Sequence, residues 1–305
     1  MVTAYVSRYS FGNRENLMSI SVIGLGQIGS AIVPHLLSAG REVRVWNRSP
    51  AAVEAMVGLG AEPLTEVRDA FASDIVLSVL FDDEAVREIF TEEVIASVSH
   101  HTVHVCMSTV SPDLSDELNR AHQSAGIGYL SAPLFGRPEA VKQRAANICV
   151  AGDAPLVEKV RPCLESFGRV WVVGDDPRQA NVAKLCGNFL IGAAVAAMAE
   201  ISGILNAEKA DADAFMKLMT ETLFSSPIYR NYAPSVTGTR PLPATGLALP
   251  IKDMNLLAAV SRKNQLNSRF LAALRENLSQ AKEMGFGEYD WSMALGQAAR
   301  QHEAG

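Results

Sequence analysis

Two polar side chains four residues apart, Lys184 and Asn188, interrupt a long apolar run that begins Asn181-Val-Ala-Lys184-Leu-Cys-Gly-Asn188. In a helix this spacing puts both on one face, where an ammonium and an amide can address the same small molecule. Such a pair suits proton delivery and charge stabilisation at a carbonyl oxygen, with the amide orienting the substrate. The helix alone equally admits a Lys that extends its charged head from a buried surface to water. Three more groupings bear on the choice. Ser108-Thr109 follows a short apolar strand pattern. Gly136-Arg137 offers backbone N–H groups and a guanidinium to a carboxylate, or forms an ordinary turn with a surface Arg. Lys252-Asp253 stands where a helical pattern begins, a place the helix dipole does not favour for a cation, so a ligand there competes with a solvated Lys.

A glycine motif supplies the second reactant. The strand pattern over 19–23 runs into Gly24-Leu25-Gly26-Gln27-Ile28-Gly29, and helical periodicity follows from Ser30 to Ser38. Strand, glycine turn and helix form the context in which this motif holds a dinucleotide. Gly24 permits the turn, Gly26 admits a pyrophosphate, Gly29 lets helix and strand touch, and the anion sits on free helical N–H groups. The next strand, 42–46, ends in Asn47-Arg48-Ser49, with no Asp or Glu before Glu54 to bond a ribose hydroxyl. Arg48, with Asn47 and Ser49 as neutral donors, suits a 2′-phosphate, which favours NADP(H); a solvated Arg48 is the alternative. Leu80, closing a strand over 74–80, is counted among the cofactor contacts, and Asp82, Asp83 and Glu84 after it read as a helix cap.

These residues need a scaffold to converge. Strands over 102–107, 127–132, 146–151 and 169–173, alternating with helices, complete a doubly wound sheet. A helix then runs from Arg178 to Ala207, followed by helical patterns over 211–223, 250–263, 268–284 and 290–300 and a Pro- and Gly-rich connector over 237–246. Tyr229 and Tyr232 read as packing residues. The fold class is α/β, an N-terminal Rossmann domain over 18–177 joined by a long interdomain helix to an all-α C-terminal domain over 178–305. Residues 1–17 are polar, lack the apolar centre of a signal peptide, and read as a disordered extension or, with Met18 just before the first strand, a misplaced start.

The composition narrows the partners. The 305 residues suffice for two domains, and 48% hydrophobic with 20% charged residues is a globular balance. A net charge of −6 without a basic run argues against nucleic acid. Cys106, Cys149, Cys163 and Cys186 lie far apart with no C-x-x-C pair, which suits free thiols in the cytoplasm. His100, His101 and His104 have no locally spaced Cys or Asp partner, so no metal is expected. The apolar stretch 185–205 holds Asn188, Glu200 and three glycines, and reads as a buried helix rather than a membrane span.

Taken together, Gly24-Leu-Gly26-Gln-Ile-Gly29, Met107-Ser-Thr-Val-Ser-Pro112, Lys184-x-x-x-Asn188 and Lys252-Asp253 are recognisable. From about Ile20 to its C-terminus the chain resembles the β-hydroxyacid dehydrogenase family, the group of 3-hydroxyisobutyrate dehydrogenase, tartronate semialdehyde reductase and the glyoxylate and succinic semialdehyde reductases. The resemblance implies interconversion of a small carbonyl compound and a hydroxy acid with a nicotinamide cofactor, read from Arg48 as NADP(H), together with a homodimer and an active site in the cleft between the domains. Lys184 would be catalytic, Ser108, Thr109, Gly136, Arg137 and Asn188 would meet substrate, and Lys252 would lie near the nicotinamide. The chain departs from the family pattern where Asp-Ala-Pro-Val-Ser-Gly-Gly is replaced by Ser131-Ala-Pro-Leu-Phe135-Gly136-Arg137, and where Arg178 and Ala180 replace two glycines. Two alternatives are an imine reductase, which an ammonium beside a cationic iminium disfavours, and an NADPH-binding protein with a degenerate site.

Overall fold

The computed structural model describes residues 18–98 and 101–301. The extension over 1–17 and His100 lie outside the described residues. The backbone divides into two compact units, Met1–Ser108 with Asp113–Ala180, and Thr109–Pro112 with Asn181–Gly305.

In the first unit, near-continuous apolar runs form the central strands, which are buried on both faces, while the strands toward the edges are partly exposed. The order is β1 (Ser19–Ile23), α1 (Gln27–Ser38), β2 (Glu42–Trp46), α2 (Pro50–Val57), β3 (Glu62–Pro63), β4 (Ile75–Ser78), α3 (Asp83–Ile89), α4 (Glu92–Ala96) and β5 (Val103–Cys106). There follow α5 (Pro112–Ser124), β6 (Gly128–Ser131), β7 (Leu134–Phe135), α6 (Pro138–Lys142), β8 (Ala146–Ala151), α7 (Ala154–Leu164) and β9 (Gly168–Gly174). The sheet order is β3-β2-β1-β4-β5-β6-β8-β7, with β9 on β8. From β3 to β6 all pairs are parallel; β8 is antiparallel to β6 and β7. Ile20, Val22, Ile75, Leu77, Val105, Leu130 and Ile148 fill its core. The pattern over 74–80 overshoots β4, because Val79 and Leu80 continue past the last strand residue. Asp82 caps α3 by accepting from the Ala85 N–H at 2.9 Å, the capping role its position indicated.

The second unit is helical. The long helix α8 (Pro177–Ala207) crosses from one unit to the other within its first turns. After it come α9 (Ala212–Glu221), α10 (Pro227–Val236), α11 (Ala248–Lys263), α12 (Arg269–Ala281) and α13 (Trp291–Gln301). Gly192 and Gly203 let α8 approach closely: an added Cβ would stand 2.7 Å from Leu274 of α12 and 3.2 Å from the Ala299 carbonyl of α13. Leu185, Val195, Met198, Met254, Leu274 and Leu295 make the core.

Three features differ from the sequence reading. The stretch 185–205 is buried on one side only, since Leu190, Ile201 and Ile204 are exposed, and α8 is apolar and long enough to cross a membrane by composition alone. Helix α10 was hidden by two prolines; Pro227 occupies the first turn, where its missing N–H costs nothing, and Pro234 lies in the last. Within α10, Tyr232 meets Trp291 edge-on and Tyr229 lies against Phe224, both packing roles. Finally, α11 begins at Ala248, so Lys252 sits in the second turn and the argument from an unfavourable helix start does not apply to it.

Candidate active site

In the first unit the glycine loop is built by exclusion. At Gly24, φ is +96°, and an added Cβ would stand 2.3 Å from the Val79 carbonyl oxygen; at Gly29 it would stand 2.0 Å from the Gly24 carbonyl oxygen. Both positions therefore require glycine for packing. Gly26 differs, with open space where a Cβ would be. It precedes α1, whose N-terminus has no side-chain cap, so Gln27, Ile28 and Gly29 begin a helix whose first N–H groups are available to an anion. That arrangement fits a pyrophosphate.

Asn47 braces this loop. Its Oδ1 accepts from the Leu25 N–H at 3.0 Å, its Nδ2 donates to the Ser49 carbonyl at 3.3 Å, and Gly24 N–H donates to the Trp46 carbonyl at 2.9 Å. Arg48 projects outward with its side chain 87% exposed, 3.9 Å from Glu88, and Ser49 precedes α2. Leu80 is held by its N–H donating to Ser108 Oγ at 2.8 Å. Gly136 is exposed after β7, with Arg137 half-buried at the start of the short α6. Arg178, where the family pattern has glycine, pairs with Asp116 at 2.5 Å on α5.

The second unit assembles the rest. Lys184 Nζ donates to Asn188 Oδ1 at 3.0 Å, and Asn188 Nδ2 donates to Asp253 Oδ2 at 2.6 Å. The other oxygen of Asp253 lies 3.0 Å from Lys252 Nζ, a charge contact, while the aligned Lys252 hydrogen bond goes to the Thr109 carbonyl at 2.6 Å. Asn181 Oδ1 accepts from the Val110 N–H at 3.2 Å. The Asn188 amide can only be oriented one way, because its oxygen must face the Lys donors and its nitrogen the carboxylate. Thus Lys184, Asn188, Lys252 and Thr109 converge, whereas Ser108 belongs to the first unit with Leu80.

Asp253 and Asn181 were not assigned a role from the sequence. The Asp253 side chain is 2% exposed, and a carboxylate so buried must be paired. Its adjacency to Lys252 was the available signal. His104, set aside as a metal ligand, is buried against His122 and Ser78. Among the described residues no group of three His, Cys, Asp or Glu side chains could hold a metal ion. All four cysteines are free thiols, with Cys186 exposed.

Comparison with known proteins agrees along the whole described fold. Residues 19–174 match the NAD binding domain of 6-phosphogluconate dehydrogenase, and residues 179–297 match the NAD-binding domain of NADP-dependent 3-hydroxyisobutyrate dehydrogenase. An uncharacterized oxidoreductase of Bacillus subtilis, YfjR, is 32% identical over 91% of this chain and 99% of its own length. Glyoxylate/succinic semialdehyde reductase 2 of Arabidopsis thaliana is 27% identical over 94% of this chain and 82% of its own. The Mycobacterium tuberculosis 3-hydroxyisobutyrate dehydrogenase structure with L-serine shares the fold, with a TM-score of 0.84 at 21% identity over 92% of this chain and 99% of that one. The chain therefore belongs to the β-hydroxyacid dehydrogenase family, oxidoreductases that interconvert carbonyl and hydroxyl groups with NAD(P) on a Rossmann domain.

Proposed function

We propose that this protein reduces a small aldehyde or keto acid, or oxidises the matching β-hydroxy acid, with NADP(H) and with Lys184 as general acid and base. The observation that carries this reading is the continuous chain from Lys184 through Asn188, Asp253 and Lys252 to the Thr109 carbonyl. The Arabidopsis relative, named for glyoxylate and succinic semialdehyde, supports a small aldehyde that bears a carboxylate.

Bound NADPH supplies the hydride. As the carbonyl carbon accepts it, charge grows on the oxygen, and Lys184 as an ammonium stabilises that charge and delivers a proton from Nζ. Asn188 fixes the direction of one Lys184 N–H, and Asp253 fixes Asn188. Lys252 balances the buried carboxylate and restrains Thr109. Ser108, Thr109, Gly136 and Arg137 are the proposed substrate contacts, with the Arg137 guanidinium for the carboxylate. Arg48 serves the 2′-phosphate, because its exposed guanidinium lies beyond a loop that Asn47 braces from within.

Lys184→Ala is expected to lower kcat by roughly 10²- to 10⁴-fold with NADPH affinity unchanged. Nearly full turnover in that variant would overturn the assignment. KM compared for NADPH and NADH tests Arg48, and a clear preference for NADH would reverse the cofactor. An aldehyde panel run beside a ketone-plus-amine panel separates carbonyl from imine reduction; a cationic iminium would be repelled by Lys184.

A homodimer in the cytoplasm completes the proposal. Leu190, Ala197, Ile201 and Ile204 form one exposed apolar stripe along α8, the kind of surface a second copy buries, and free thiols suit a reducing compartment. Ile204→Glu should shift the sedimentation coefficient to that of a monomer.

A further inference from the structure

A second polar chain, unused in the proposed chemistry, lies inside the first unit. His104 on β5 and His122 on α5 are fully buried, with ring centroids 4.8 Å apart. His122 Nδ1 is 2.7 Å from the Leu118 carbonyl oxygen, His122 Nε2 is 2.8 Å from His104 Nδ1, and His104 Nε2 is 2.8 Å from Ser78 Oγ. A carbonyl only accepts, so His122 carries its hydrogen on Nδ1 and accepts at Nε2. His104 then donates from Nδ1, and its Nε2 accepts the Ser78 hydroxyl hydrogen. One backbone carbonyl sets the direction of every bond in the chain, provided both rings are neutral.

The surroundings keep them neutral. Burial pushes His104 well below the usual imidazole range, helped by its neighbour His122, and burial lowers His122 to about 4. Phe71, Phe90 and Tyr129 form the ring walls. The titratable neighbours, Tyr129 and Cys106, are raised by burial and stay protonated.

Ser78 is the last residue of β4, and the next two residues seat the glycine loop. Val79 N–H donates to the Ile23 carbonyl at 2.8 Å. An added Cβ on Gly24 would stand 2.3 Å from the Val79 carbonyl oxygen and 3.0 Å from Leu80 Cδ2, so the loop rests directly on this ledge. Leu80 is tied to Ser108 through its N–H. We infer that His104 and His122 are positioning residues for the dinucleotide: by locking Ser78 they hold the Val79–Leu80 ledge, and the ledge holds the glycine loop. The competing reading is a buried pair that merely stabilises the unit.

Fluorescence titration with NADPH, and with NADH as a second probe, separates the two without any need for turnover. His104→Leu breaks the chain, His104→Gln keeps a donor toward His122 and an acceptor toward Ser78, and Phe71→Leu loosens the wall packed against both rings while leaving every hydrogen-bonding group of the chain in place. His104→Leu should weaken binding about tenfold, His104→Gln should stay within roughly threefold of the native protein, and Phe71→Leu within about twofold. Native affinity in His104→Leu, or an equal loss in Phe71→Leu, overturns the inference. Nitrogen-15 NMR of the native protein gives a test that does not depend on a variant folding. Both imidazoles should be Nδ1–H tautomers that do not titrate between about pH 5 and 8. An Nε2–H tautomer, or protonation in that window, overturns it.

Discussion

Each unit threads a polar chain through its interior, and the two chains are built from opposite materials. In the Rossmann unit, Leu118, His122, His104 and Ser78 make a neutral series, fully enclosed, with one direction throughout. In the helical unit, Lys184, Asn188, Asp253 and Lys252 make a charged series in which one carboxylate lies between the Lys252 ammonium and the Asn188 amide, and the Lys184 ammonium meets the amide's other end. Neutral groups that satisfy one another can be enclosed cheaply, and their fixed pattern then holds backbone in place. Charges in low dielectric must stay beside their partners, and a group that passes protons must keep an open side. Lys184 is half-buried, the open side that its proposed proton transfer requires, while the histidines are sealed. The sealed chain suits the proposed holding role, the open one the proposed reaction.

The largest effect should come from removing the centre of the charged chain. Asp253→Ala leaves Lys252 and the Asn188 amide without their partner, and should cost about 3–5 kcal/mol in urea unfolding, with turnover lost as well. Asp253→Asn, which can still accept from Asn188, should cost less; equal stability of Asp253→Ala and the native protein would break the comparison.

The neutral chain should show itself through pH. An unfolded histidine titrates near 6.5, whereas burial lowers His122 in the fold to about 4 and holds His104 well below the usual imidazole range. Between those values the unfolded state takes up protons that the fold refuses. Stability is therefore complete above about pH 6.5 and declines as pH falls toward 4, by roughly 3 kcal/mol from His122 alone. Hydrogen exchange should show peptides of β4 and β5 losing protection in this window before those of α11, and simultaneous loss would remove the distinction.

Smaller effects sharpen the picture of the glycine loop in the first unit. Gly29→Ala, whose Cβ would press on the Gly24 carbonyl, should cost about 1–3 kcal/mol and weaken NADPH binding. Gly26→Ala has room, so its melting temperature should stay put while affinity alone falls, because the methyl group would occupy the pyrophosphate's approach. Least of all, Arg178→Ala removes an ion pair whose side chains are 28% and 31% exposed, and should cost no more than about 1 kcal/mol.

Much of the fold was legible locally. Apolar runs, turn glycines and helical spacing marked the seven long strands and the α8 helix within a residue or two, and four short motifs in order pointed to the family. The misses were local too: β7 has two residues, too few for a pattern to register, and the prolines of α10 imitate a break. The site was legible as a set of residues but not as a circuit. Lys184 and Asn188 meet because a helix turns once in about 3.6 residues, which puts positions four apart on one face, a fact of sequence spacing. His104 meets His122 across 18 residues, Asn188 meets Asp253 across 65, and Lys252 meets Thr109 across 143. Sequence by itself determined which groups were available and which backbone could carry them. Only the tertiary structure decided which of them face each other, because hydrogen bonds depend on distances of about 3 Å that chain separation does not encode. That is why Asn47 emerged as a brace for the glycine loop, Asp253 as the centre of the charged chain, and His122 as the partner that turns an isolated histidine into a strut.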